Sequence, residues 1–299
     1  MTVNLMLAAS NPIEHIINHP TVVVDGWWVW SSIQTNLVLS GLILLVGWTF
    51  AAKHIATGDE SEGHDRYLTK HPVAGLIEVV SVFLREEICR PVLGGRTDRF
   101  MPFLWTLFYF ILLNNLLGLV PLADLWHLVT DFKVHWVPIG GTATQSIYVT
   151  AALAVVAFFV INIAGIRELG VGGYLKHLTG GTSGAVAFIM VPIEILSTFI
   201  KPVALAVRLF ANMTAGHILV ATLFMFVGMV INAGVLIAAP VSLASAAGAI
   251  AIYFLELFVA FIQAFVFMFL TAVFIGQLSH HGEHEGHGSH GSEPGAAHA

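Results

Sequence analysis

Cysteine is almost absent from this 299-residue chain, with Cys89 the single example. One thiol permits no intrachain disulfide and no cysteine-based zinc site, so a secreted disulfide scaffold is excluded. Charge is scarce as well. Lys, Arg, Asp and Glu make up 10% of the residues, against about 25% in ordinary globular chains. The 12 Lys and Arg are scattered and the net charge is −6, so nothing calls for a nucleic-acid partner. The sequence lacks the internal repeat that marks many secondary transporters. It also lacks a Gly-x-x-x-x-Gly-Lys phosphate loop, so ATP hydrolysis is not expected in this chain. The first twenty residues contain no Lys or Arg and only a short apolar stretch. They lack the basic flank of a signal peptide and are too short to span a bilayer.

What the sequence does have is apolar surface: 57% of its residues are hydrophobic. A chain this apolar cannot cover itself with polar groups, so its surface must face lipid. A soluble enzyme and a disordered regulator are both excluded, and an all-α integral membrane protein is expected. Apolar runs of spanning length lie at 31–52, 100–121 and 146–166, and a longer tract runs from 184 to 278. Segment 73–92 differs. It interleaves Leu76, Ile77, Val80 and Leu84 with Glu78, Arg85, Glu86 and Arg90, which predicts an amphipathic helix lying in the interface.

Loop charges predict the orientation, because Lys and Arg accumulate on the cytoplasmic side. Lys53, Arg66, Lys70, Arg85, Arg90, Arg96 and Arg99 lie between the first two spans, and Arg167 and Lys176 follow the third. The opposite side holds only Lys133. The N-terminus is therefore expected outside, and segments 53–99 and 167–183 inside. Three regions follow: an outer N-terminal segment 1–30, a membrane domain 31–278, and a disordered, His-rich, low-complexity tail 279–299. His280, His281, His284, His287 and His290 sit in a Gly-rich stretch without fixed geometry, so no metal site is expected there. Segment 122–145, with Trp126 and Trp136 suited to an interface, is expected as an outer loop.

Hydropathy leaves the last tract open. Some 53 residues separate Gly184 from Ile237, before Pro240 offers a turn. As one helix they would extend roughly 80 Å, against about 30 Å of hydrocarbon. Either three or more short spans break near Asn212–Gly216, or two long helices lie steeply tilted.

Ionisable groups inside this tract are costly and each needs a partner, a watery cavity or a function. They are Glu194, Lys201, Arg208, His217 and Glu256, accompanied by neutral Ser197, Asn212 and Gln263. At 100° per residue, with Glu194 as zero, Lys201 falls at about −20° and Arg208 at about −40°. Asn212 returns to about 0° and Ser197 falls at about −60°, so five polar groups share one stripe. Glu256 and Gln263, seven apart, face the same way on the last helix. Bland readings exist beside the functional one. Ser197, Asn212 and Gln263 can glue helices together, and Lys201 can snorkel to the inner surface. His217 can be a satisfied buried histidine, and Arg208 can form a structural salt bridge with Glu256 or Glu194.

The stretch EILSTFIKPVALAVRLFANMTAGHIL (194–219) resembles the signature of subunit a of F-type ATP synthases, the membrane stator beside the rotor ring. FLREEICRPVLGGRTDRFMPFLWTLFYFILLNNLLGLVP (83–121) is similar to that family's amphipathic helix and following span. YFLELFVAFIQAFVFMFLTAVFIG (253–276) is similar to its last helix. The resemblance implies five transmembrane helices plus one interfacial helix, the last two forming a long, steeply tilted hairpin. It implies a proton-translocating subunit with no catalytic site and no cofactor. Arg208 matches the family's essential arginine, and Glu194 the acidic residue of the cytoplasmic half-channel. Asn212 and Gln263 match polar residues near the arginine, and His217 and Glu256 match the pair lining the outer half-channel. Ser197 and Lys201 are supporting polar positions. The implied partners are the rotor ring of subunit c, the peripheral-stalk subunit b, the rest of the complex and the bilayer. The implied place is a bacterial inner membrane, with an energy-transducing organelle membrane as the alternative. The competing reading is a secondary transporter or channel that uses a buried Arg208 for an anionic substrate.

Overall fold

Each apolar tract of spanning length forms one helix, because only a helix satisfies every backbone group in hydrocarbon without a neighbour. The computed structural model describes residues 20–24, 27–55, 69–120, 142–178, 185–230 and 234–280. A two-stranded antiparallel hairpin, β1 (Pro20–Val24) and β2 (Trp27–Ser31), leads into α1 (Ser32–His54). The sequence carried its signal: Asp25-Gly26 between a valine run and a tryptophan-rich run is a strong hairpin cue. At the start of α1 the Gln34 side chain accepts the Ser31 backbone N–H at 2.8 Å.

The amphipathic segment is α2 (Pro72–Phe83), which continues through a π-helical stretch at Leu84–Cys89 and a short turn at Arg90–Leu93. It stops at Gly94, whose φ of 57° a side chain would strain. Then come α3 (Thr97–Leu119), α4 (Ile147–Leu178), α5 (Ala185–Val230) and α6 (Val235–His280). Gly170, at φ 68° and ψ 169°, kinks α4. Among the described residues, five helical stretches are long and apolar enough to cross a membrane: 32–54, 72–119, 147–174, 188–230 and 235–277. The expected count of five holds, with the interfacial helix joined to the second.

The last tract resolves into two helices of 46 residues, and α5 runs unbroken through Asn212–Gly216. Each is about 69 Å long, more than twice the hydrocarbon thickness, so an upright orientation is excluded for helices that stay in the bilayer. The turn between them falls earlier than Pro240. It lies just before α6, where Gly234 takes φ 88°, and Pro240 falls within the second turn of α6. Gly234 opens α6, its carbonyl accepting the N–H groups of Ile237 and Ala238, and Pro240 sits inside that helix at the cost of the one bond its missing N–H would have made to the Leu236 carbonyl.

The core sits where α3 and α6 cross the turn after α2. Leu84, Cys89, Met101, Leu104, Phe108, Phe267, Met268 and Ile275 are buried there, with Leu205 and Leu209 of α5. Around this core the helices present apolar side chains outward, among them Val38, Leu42 and Leu45 on α1 and Phe199 and Val203 on α5. Trp48 meets the Tyr109 ring edge-on at 5.5 Å and ties α1 to α3. Tyr109 donates its hydroxyl to the Ile77 carbonyl and Trp105 its Nε1–H to the Ser81 carbonyl, tying α3 to α2. At one end, Arg96 pairs with Glu168 at 3.0 Å and Arg85 with Asp98. The two charged segments expected on the same side of the membrane therefore meet each other.

Most of the expected outer loop 122–145, like tail residues 281–299, lies outside the described residues. Its last four residues, Thr142–Gln145, are buried, and Ala143–Gln145 form a 3-10 turn packed against α1, α3, α4 and α5. Hydrogen bonds from Thr142 and Thr144 to neighbouring helices replace part of the water this polar turn gives up, while Nε2 of Gln145 has no partner among the described residues.

Candidate functional site

The polar stripe of α5 flanks its packing seam. Leu205, Leu209, Met213, Gly216 and Val220, spaced by three or four residues, are the buried face. Arg208 precedes Leu209 by one residue and so turns about 100° off that seam. It is exposed, and among the described residues it has no ion pair and no hydrogen bond. The structural salt bridge to Glu194 or Glu256 is not formed. Ala204, Ala211 and Ala215 share its exposed face, so no bulky neighbour shields the guanidinium.

The other stripe residues divide. Asn212, one turn beyond Arg208, donates Nδ2–H to Oε1 of Gln263 at 2.9 Å and bridges α5 to α6. Gln263 is 2% exposed and its Nε2 has no hydrogen-bond partner among the described residues. Lys201 stands 5.2 Å from the centroid of the Phe274 ring on α6, a cation–π contact that shelters its charge. Glu194 and Ser197 are half-buried near the start of α5. The Glu194 backbone carbonyl accepts the Thr198 hydroxyl at 2.8 Å.

His217 and Glu256 lie at one level but do not bond to each other. Glu256 is 5% exposed and its carboxyl packs against the bare Cα of Gly216, where an added Cβ would come within 2.0 Å of Oε1. Its Oε2 has no hydrogen-bond partner among the described residues. Half-buried His217 instead turns Nε2 to the Thr142 hydroxyl, 2.7 Å away. The 3-10 turn that follows Thr142 is held in turn. Thr144 donates its hydroxyl to Oδ1 of Asn115, and Asn115 donates Nδ2–H to the Ala260 carbonyl of α6 at 3.2 Å.

Three groups of polar residues escaped the sequence reading. Thr142 and Thr144 were hidden in the loop assignment, and nothing local marks them. Asn115 sat in an apolar span with only its polarity to signal it. On α1, Ser32, Asn36 and Ser40 are buried at steps of four, a stripe that the 3.6-residue period makes visible on inspection. Among the described residues no group of three His, Cys, Asp or Glu is placed to hold a metal ion.

Residues 35–276 match the family described as ATP synthase A chain. ATP synthase subunit a of Chloroherpeton thalassium is 44% identical over 283 residues, 93% of this chain and 75% of that protein. ATP synthase subunit a 2 of Prosthecochloris aestuarii is 42% identical over 277 residues, 92% of this chain and 76% of that protein. ATP synthase subunit a of Myxococcus xanthus is 43% identical over 229 residues, covering 75% and 67%. The match takes in all five membrane-spanning helices and every polar residue of the stripe, so this chain belongs to the ATP synthase A chain family.

Proposed function

We propose that this chain is the proton-translocating stator subunit of an F-type ATP synthase, a multi-pass protein of a bacterial inner membrane with its N-terminus outside. The observation that carries the reading is Arg208, a guanidinium with no partner among the described residues on an outward face of a membrane helix. A permanent charge is not held without a partner among the lipid tails unless something outside the chain meets it. Its partner is a carboxyl on each subunit of a rotor ring of subunit c that turns against α5 and α6. The alanines flanking Arg208 allow another helix to approach closely. Lipid favours the neutral form of a ring carboxyl, and the fixed cation favours its ionised form. Arginine suits the task because it stays charged, whereas a desolvated lysine loses its proton readily.

Two aqueous half-channels supply and drain the ring. Glu194 serves the inner one and His217 with Glu256 the outer one, with Asn212 and Gln263 beside Arg208 and with Ser197 and Lys201 in support. The arginine's charge separates them, so a proton entering from one side must ride the ring to leave by the other. The driving energy is about 2.3 kcal/mol per charge per 100 mV. Subunit b of the peripheral stalk holds the chain against the torque. An arginine that gripped a soluble anion, as in a transporter, belongs in an internal cavity, and Arg208 faces outward instead.

Substitution of Arg208 by Gln, Ala or Lys is the test. All three are expected to abolish gradient-driven ATP synthesis per assembled complex, and the neutral two also to permit passive proton leak. Normal synthesis per complex with Arg208→Gln would defeat the reading.

A further inference from the structure

Thr142 occupies the position just before its 3-10 turn, where a threonine usually caps the following backbone. Its side chain makes no such cap, and the hydroxyl is directed instead to Nε2 of His217 at 2.7 Å. The residue is 1% exposed, so this bond is shielded from competing water. Space for it exists only because residue 118 is glycine. A Cβ there would lie 2.0 Å from the Thr142 hydroxyl oxygen and 2.5 Å from its Cβ. The turn is braced against both α3 and α6 through Thr144, Asn115 and the Ala260 carbonyl. Nδ1 of His217 makes no hydrogen bond to any described residue.

We propose that Thr142 is a positioning residue for His217, holding Nε2 in place and leaving Nδ1 as the nitrogen that exchanges the transported proton. A hydroxyl fits this task because its oxygen can accept from Nε2–H in both states of the ring. When Nδ1 gives up its proton the neutral imidazole keeps Nε2–H, so the bond to Thr142 and the ring orientation persist as the proton comes and goes at Nδ1. The bond made by one ring nitrogen sets the role of the other. The inference rests on the reading of His217 as part of the outer proton path.

The test uses the whole complex in membrane vesicles, scoring ATP-driven proton pumping per assembled complex. Thr142→Val keeps the shape and removes the hydroxyl, and is expected to lower pumping about tenfold, the scale of one buried hydrogen bond. Thr142→Ser keeps the hydroxyl and is expected to retain most of the pumping. Gly118→Ala keeps both the hydroxyl and the imidazole in the protein but drives them apart, and is expected to match Thr142→Val. In a His217→Ala background Thr142→Val is expected to add no further loss. A merely packed threonine gives the reverse order, with Val tolerated and Ser impaired, and that order would overturn the proposal. Wild-type pumping with Thr142→Val would overturn it too. If His217→Ala itself pumps normally, the outer-path reading falls. If His217→Ala fails while Thr142→Val pumps normally, only the positioning role falls.

Discussion

Gly216 and Gly118 do for the outer polar groups what no side chain can: each leaves a gap that a functional group of another element fills. Glu256 reaches into the first and Thr142 into the second. His217 and Glu256 therefore stand at one level of α5 and α6 with no direct bond, which suits the proposed pair of stations on one water-filled path better than an ion pair. That geometry bears on exchanging them. His217→Glu with Glu256→His is expected to pump more protons per complex than either single change, yet less than wild type, because an imidazole overfills the space beside Gly216. Vesicle pumping for all three variants measures this, and a double variant no better than the worse single one would sink the shared path.

Helix pairs in this protein are joined by few polar contacts and many close ones. The Asn212–Gln263 bridge links α5 to α6, and bonds of this kind within membranes contribute about 0.6 kcal/mol on average. Close packing is the larger effect at the other end of α6. A Cβ on Gly276 would lie 2.7 Å from the Val92 carbonyl oxygen, which is backbone and cannot swing aside. Gly276→Leu is expected to destabilise the chain by about 1–3 kcal/mol through overpacking. The amount of assembled complex in detergent falls accordingly, while pumping per assembled complex stays near wild type because no proposed path residue is touched. Reduced pumping per complex at normal assembly would mean that α6 and the turn after α2 move together in function.

Among the described residues, most of the charge gathers at one end and apolar side chains cover much of the rest. Arg85, Arg96, Asp98 and Glu168 meet in ion pairs at the end expected inside, whereas the shared lipid-facing surface carries Arg208 as an exception. The His-rich segment beyond Gln277 has few apolar residues to bury and follows the last buried packing contacts of α6. Truncation after Gln277 is expected to leave assembly and proton translocation intact. Loss of assembled complex on truncation would mean that the tail histidines grip a partner.

Sequence alone determined that the protein lives in a membrane and carries a polar stripe through its last apolar tract, whereas hydropathy left open how many helices that tract forms and the family resemblance implied two. Hydropathy and the 3.6-residue period are local properties, so no partner is needed to read them. Even Gly234, the actual turn between α5 and α6, is a local signal that the more conspicuous Pro240 obscured. Which polar groups meet was decided by tertiary structure. The stripe alone does not say that Arg208 faces outward while Asn212, one turn on, reaches Gln263, because that depends on which edge of the stripe the α5–α6 seam lies against. Nor does it say that Thr142, 75 residues before His217, meets it, or that Asn115 reaches a carbonyl 145 residues away. Such pairings exist only once the helices have packed, since contacts between distant residues leave no periodic trace in either segment.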